Sequence, residues 1–123
     1  MTGWNPTEVE ATDAADELDI ATRRADGTLR TARIVWVVRH EDALYVRSVN
    51  GRDAAWYRGV QTRHEGHVDA GGVSKDVTFT EADAQLDDAL DAAYRRKYAR
   101  YPGPTAHITA PAARVTTLRL DPR

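Results

Sequence analysis

The chain has 123 residues, a formal net charge of -2 and no cysteine. That length suits one domain with a single modest core, and the near-even charge argues against a dedicated nucleic-acid binder. The missing cysteines exclude disulfides, thiolate metal sites and cysteine nucleophiles. Arginine outnumbers lysine fifteen to two, which we read as the coding bias of a GC-rich genome. No apolar run approaches the roughly 18 residues of a membrane span, and no signal-peptide pattern opens the chain. A cytoplasmic protein with no membrane or nucleic-acid partner is the expectation.

Residues 1–16 read as an N-terminal segment. A short helix is expected over 7–15, because Thr7 offers a cap and Glu8 and Glu10 place acids in the first turn. A single domain is expected over 17–123. Residues 18–22 alternate and predict a first strand. Asp26-Gly27 is a hairpin signal that favours positive φ. Residues 28–39 read as a long second strand. Its centre, Ile34-Val35-Trp36-Val37-Val38, is apolar on both faces and should be covered on both. After the turn His40-Glu41-Asp42, residues 43–49 form a third strand. It ends in the polar turn Ser48-Val49-Asn50-Gly51-Arg52, which enters a short helix over 52–62.

Gly66 and the Gly71-Gly72 pair bracket two strands, over 64–70 and 73–79. Thr80 is the expected N-cap of a long helix over 81–100. Its acids come early and Arg95, Arg96, Lys97 and Arg100 come late, which complements the macrodipole. Leu86, Leu90, Tyr94 and Tyr98 form its buried stripe. Pro102-Gly103-Pro104 ends it, and residues 114–120 give a last strand. The order predicts an α+β fold: a mainly antiparallel six-stranded barrel, with a short helix after the third strand and a long helix before the last.

The turn after the third strand carries the functional signal. Free backbone N–H groups at a helix start, beside the cations Arg47 and Arg52, form an anion site. Trp56 and Tyr57 follow on the helix and suit a flat-ringed ligand. Being adjacent, they point to different sides, one into the core and one into a pocket. The alternative is a solvated turn whose Ser48 and Asn50 bond local backbone. Arg30 and Arg33 face opposite sides of a strand, so at most one faces a given ligand. Trp36 borders a ring or fills the core. His64, His67 and Asp69 lack a fixed ligand spacing, so no metal site is expected unless Gly66 marks a bulge. No Ser-His-Asp spacing or nucleophile elbow is read from the sequence.

Three segments carry a resemblance: residues 27–38 (Gly27 to Val38), 43–48 (Ala43-Leu44-Tyr45-Val46-Arg47-Ser48) and 55–58 (Ala55-Trp56-Tyr57-Arg58). In this strand order they resemble the FMN-binding split-barrel superfamily, which includes pyridoxamine-phosphate-oxidase-like proteins and deazaflavin-dependent nitroreductases. Within that group the chain resembles a small uncharacterised bacterial family of similar length. The resemblance spans roughly residues 17–120 and implies a split β-barrel. It implies basic positions at Arg30 and Arg33, phosphate contacts at Ser48 and Arg52, and a ring-facing segment at Val35, Trp36 and Val37. The aromatic pair is Trp56 and Tyr57.

The implied activity is that of a small flavin- or deazaflavin-dependent oxidoreductase, nitroreductase-like, acting on a small organic acceptor. FMN and deazaflavin stay open, and so does a chain with neither. Tyr57, Tyr98 and His64 are the candidate proton donors. The rival is a split barrel without redox cofactor, serving as a small-ligand-binding protein or a cofactor-free enzyme. A third reading is haem binding, with His40, His64, His67 and His107 as the axial candidates. A homodimer is implied, because split barrels commonly build their site across two subunits.

Overall fold

The computed structural model describes residues 3–123; Met1 and Thr2, the start of the expected N-terminal segment, lie outside the described residues. The first helix, α1 (Pro6–Ala14), begins one residue earlier than expected, because Asn5 and not Thr7 caps it. The Asn5 side chain accepts from the Glu8 N–H at 2.8 Å, and the Glu8 carboxylate accepts from the Asn5 N–H at 3.2 Å. That reciprocal pair satisfies two donors a helix start otherwise leaves open.

The strands are β1 (Leu18–Thr22), β2 (Arg33–Val35), β3 (Val37–His40), β4 (Ala43–Val46), β5 (Glu65–Ala70), β6 (Val73–Glu81) and β7 (Leu118–Pro122). They form one sheet in the order β2-β1-β5-β6-β7-β4-β3, with every pairing antiparallel. β2 and β3 stand at opposite ends of that order, yet only Trp36 separates them in the chain. The extended segment therefore gives its first half to β1 (Ile34↔Asp19) and its second to β4 (Val38↔Tyr45). The sheet curls until its two edges meet at Trp36, giving a nearly closed barrel. The expected six strands become seven because this one strand changes partner. Ile34 departs from the expectation that both faces are covered: it is 62% exposed.

α3 (Asp87–Lys97) holds the seam. The two-residue turn at 41–42 makes His40–Ala43 a hydrogen-bonded pair, and bonded pairs then alternate. Val37 falls on an unbonded position and turns its N–H and C=O away from β4. Tyr98 Oη accepts from the Val37 N–H at 3.2 Å, and Lys97 Nζ donates to the Val37 carbonyl at 2.6 Å. Tyr98 Oη also donates to the Asp16 carbonyl at 2.8 Å. Its ring stacks on Trp36, centroids 3.8 Å apart and planes 3° from parallel. Burial pushes the Tyr98 hydroxyl pKa up and the Lys97 ammonium pKa down.

Two cores result. Inside the barrel, Leu18, Ile20, Val37, Leu44, Phe79 and Leu120 pack with Tyr57 and Val60 of α2 (Ala55–Thr62). Trp4 joins this core and donates its indole N–H to the Leu120 carbonyl at 2.8 Å. Outside the barrel, Val38, Ala43 and Tyr45 meet Leu90, Tyr94 and Tyr98. Of the stripe expected on the long helix, Leu90, Tyr94 and Tyr98 are buried while Leu86 is half-buried in the turn before α3, and the helix is shorter. Thr80 and Glu81 stay in β6, paired with Arg119 and Leu118, and Asp83 caps only a 3-10 turn at Ala84–Leu86. Pro102 does not end a helix; it opens α4 (Pro102–Ile108), and Pro111 opens α5 (Pro111–Arg114). These helices displace the last strand to 118–122.

Two stability outcomes follow. Tyr98→Phe leaves the Val37 N–H without its partner in a buried place, so it should cost about 1–3 kcal/mol, read as a lower urea midpoint. Gly66 lies on the inner face of β5, where an added Cβ would overlap the Ala21 carbonyl and sit 2.8 Å from the Phe79 ring. Gly66→Ala should cost about 1–3 kcal/mol through overpacking, read in the same titration.

Candidate functional site

A cleft of about 400 Å³ opens beside the seam. One wall is Arg33, Ile34, Val35 and Trp36, from β2 and the break. The other is the end of β4 through Asn50, followed by Ala54, Ala55 and Trp56 at the start of α2, with Pro104 and Ile108 of α4 behind. The lining is mostly apolar with few polar groups, the composition of a small-molecule site. Trp36 is held in place by its stack on Tyr98. Trp56 meets Tyr57 edge-on at 6.1 Å, and Tyr57 is buried in the barrel. The adjacent aromatics do point apart: Trp56 lines the cleft and Tyr57 packs into the core.

The polar turn has two kinds of residue. Arg47 has a fully buried side chain. Its Nε donates to Thr117 Oγ1 at 2.9 Å, Nη1 donates to the Asp91 carboxylate and the Ile108 carbonyl, and Nη2 donates to the Asp87 carbonyl. Its guanidinium also rests over the Tyr94 ring, 5.3 Å from the centroid. Arg114 closes the network on Asp91 at 3.1 Å and Asp88 at 2.7 Å. Arg47 therefore braces β4 against α3, α4 and the approach to β7. Ser48 is buried as well: its hydroxyl donates to the Gly51 carbonyl at 2.6 Å and its N–H donates to Thr116 Oγ1 at 2.8 Å. Both residues border the cleft, but their donors are engaged inside the protein.

Arg33 behaves differently. It is exposed and lines the cleft, and among the described residues no carboxylate pairs with it. The α2 N-terminus also borders the cleft with no side-chain cap, so its first N–H groups remain available to an anion. Arg52 is exposed in the 3-10 turn at Gly51–Asp53, outside the lining. Arg30 lies before β2 and packs against Gly59 of α2, its buried Nε without a hydrogen-bond partner among the described residues. Val37 faces the barrel core, and Tyr98 serves the seam. His64 is exposed in a separate depression with Ala25, Thr62 and Arg63. Tyr57, Tyr98 and His64 thus stand away from the cleft lining.

Among the described residues, no three His, Asp or Glu side chains converge as a metal site. The β5–β6 hairpin does gather a polar chain that residue spacing had hidden. His67 lies 2.8 Å from Asp76 through Nδ1 and 2.8 Å from Ser74 Oγ through Nε2. The hydrogen bond from His67 is the main cause that holds the Asp76 carboxyl below the usual carboxylate range, with Arg23 adding to it. The cross-strand register, which the Gly71-Gly72 turn sets, is the signal that could have found it.

The comparisons agree with this architecture. HutZ, the haem storage protein of Vibrio cholerae, superposes with a TM-score of 0.67 at 15% identity, over 97% of this chain and 89% of that one. An F420-H2-dependent reductase gives 0.64 at 15% identity, over 86% and 94%. A candidate pyridoxamine 5′-phosphate oxidase of Listeria innocua gives 0.66 at 12% identity, over 95% and 91%. At these identities the likeness is one of fold, and no curated protein matches the chain. A family model described as an uncharacterised protein conserved in bacteria, DUF2255, matches residues 8–120. With the barrel, its seam and its cleft in place, the chain belongs to the DUF2255 family and carries the split-barrel fold of the structures it superposes on.

Proposed function

We propose that this protein binds a flat, anionic cofactor of the flavin or deazaflavin type in the seam cleft and is a small cytoplasmic oxidoreductase, nitroreductase-like, acting on a small organic acceptor. One observation carries the reading: a single cleft joins two tryptophan walls, Trp36 and Trp56, to the unpaired Arg33 and the uncapped start of α2. Aromatic faces suit a planar ring, and a helix start beside a cation suits a phosphate or carboxylate. A volume of about 400 Å³ lies within the usual range for such sites. The fold likeness to an F420-H2-dependent reductase supports the same reading.

The fit assigns roles to this chain's residues. Trp36, set by Tyr98, and Trp56 would border the ring. Arg33, Asn50 and the α2 N-terminus would hold the anionic end, while Arg47 and Ser48 would shape the floor without giving up their internal bonds. The cofactor, when bound, supplies hydride or electron transfer. No strong acid lines the cleft, and Tyr98 has its hydroxyl bound and its pKa raised. The acceptor's proton would therefore come from solvent. Ile34 and Val49 flank the cleft, 62% and 49% exposed, and a second copy of the chain covering them would make the homodimer.

The rival is a split barrel that binds a small ligand without redox chemistry. The observation favouring it is that Arg47 and Ser48 are both engaged by partners inside the protein. Haem binding has weaker support, because none of His40, His64, His67 and His107 lines the cleft.

Titration with FMN and with reduced deazaflavin, followed by quenching of tryptophan emission, should show a Kd below about 100 μM for one of them. Binding by neither, in a protein that is colourless when purified, would select the rival. A Soret band would select haem. For the cofactor that binds, Arg33→Ala should weaken affinity about tenfold, equivalent to about 1.4 kcal/mol, with the urea midpoint unchanged. An unchanged affinity would remove Arg33 from the site.

A further inference from the structure

The β5–β6 hairpin carries a second constellation, none of whose residues lines the seam cleft. Its register sets His67 opposite Asp76 and Asp69 opposite Ser74. Residues two apart on a strand share a face, so all four side chains emerge on the solvent side of the hairpin. His67 Nδ1 is 2.8 Å from Asp76 Oδ1, and His67 Nε2 is 2.8 Å from Ser74 Oγ. Asp76 is fixed in turn by Arg23 Nη2 at 3.1 Å, while Arg23 Nη1 donates to the Gly27 carbonyl at 2.8 Å. A nucleophile bonded to a base, with the base oriented by a third group, is the arrangement that activates a hydroxyl.

We propose that Ser74 is an activated nucleophile, with His67 as its general base and Asp76 as the positioning residue, and that it accepts acyl groups from small activated carboxylic esters. The protonation pattern follows from the partners. Asp76 is held in its ionised form by its hydrogen bonds, so Nδ1 is the ring nitrogen that carries the proton and donates. In the neutral ring Nε2 then has its lone pair free and accepts the Ser74 O–H. Ser74 Oγ attacks the ester carbon, and its proton passes to Nε2. The bond to the leaving oxygen breaks, and the alcohol departs with that proton. Water then attacks the acyl-serine by the same route, releasing the carboxylic acid and restoring Ser74. The sum is ester plus water to acid plus alcohol.

The surroundings set the substrate class. The imidazolium formed during attack lies between Asp76 and the Asp69 carboxylate, whose Oδ2 is 3.5 Å from Nε2, and both stabilise it. The side chains paired with Ser74 across the hairpin are His67, whose Nε2–H is committed to proton transfer, and the Asp69 carboxylate, so neither is a preorganised donor to a developing oxyanion. Reaction is therefore confined to esters with a stabilised leaving group, such as aryl esters, and amides are excluded. The rate gain is that of general-base assistance alone, about a hundredfold at the lower end of its range.

The test is p-nitrophenyl acetate on the purified full chain, followed by p-nitrophenolate release and by peptide mass spectrometry. The expected result is one acetyl group on the peptide containing Ser74, formed about a hundredfold faster than on Ser74→Ala, in line with general-base assistance. Ser74→Cys should still be acylated, and His67→Gln should fall to the Ser74→Ala level with an unchanged circular dichroism spectrum. Nitrogen-15 NMR of the imidazole should show the proton on Nδ1. Asp76→Asn should move it to Nε2 and lower Ser74 labelling together. Acetyl groups confined to lysines and the N-terminus, or Ser74 labelling unaffected by His67→Gln, would overturn the proposal. Neither result bears on cofactor binding in the cleft.

Discussion

The architecture depends on how one backbone break is satisfied. A strand that changes partner at Trp36 leaves Val37 with an N–H and a C=O that no neighbouring strand can reach, and exposed strand edges of this kind invite wrong pairing. Here both groups are bound by side chains of adjacent residues at the end of α3, Tyr98 and Lys97. The same Tyr98 ring stacks on Trp36. Closure of the barrel, the position of α3 and the orientation of one cleft wall are therefore a single interaction. A shift of α3 along its axis would open the seam and turn Trp36 at once.

The far end of α3 is pinned by a different force. Arg47 places a cation where water does not reach, and removing an ion from water costs several kcal/mol unless partners compensate. Asp91, Asp87, Thr117 and the Ile108 carbonyl provide that compensation. Such a cation cannot also serve a ligand, because each bond surrendered would leave a buried donor unmatched. Under the proposed function, anion recognition at the cleft falls to groups still in contact with solvent, Arg33 and the start of α2. The buried network sets the shape of the turn, and the proposed ligand contacts belong to the open pair.

Much of this was legible where short-range chemistry decides. The alternation at 18–22, the apolar run at 43–46 and the stripe Leu90, Tyr94, Tyr98 each reflect a period that packing then uses. The errors lie where a distant partner overrides local preference. Thr80 looks like a helix cap, but Arg119 and Leu118 offer a strand to residues 80–81. Arg47 looks like an anion ligand at a strand end, and only Asp91, far along the chain, reveals it as a brace. The break at Trp36 carries no proline or glycine to mark it. Pro102 looks like a terminator, although proline fits the first turn of a helix equally well and opens α4 here.

The two polar clusters differ in what their access to water allows. Arg47 and Asp91 are both buried, and the Arg47 guanidinium is held by Thr117, Asp91, Ile108 and Asp87, so little there is free to change its bonds during a reaction. His67 sits on an open face with Ser74 exposed beside it. Its register was calculable from the Gly71-Gly72 turn alone, since pairing Ala70 with Val73 forces Asp69 onto Ser74 and His67 onto Asp76. A strand ladder can thus assemble a nucleophile, a base and its orienting carboxylate without an elbow or a motif spacing. What it does not assemble is an enclosure, which is why the chemistry available there is that of an activated hydroxyl and not of a full hydrolase site.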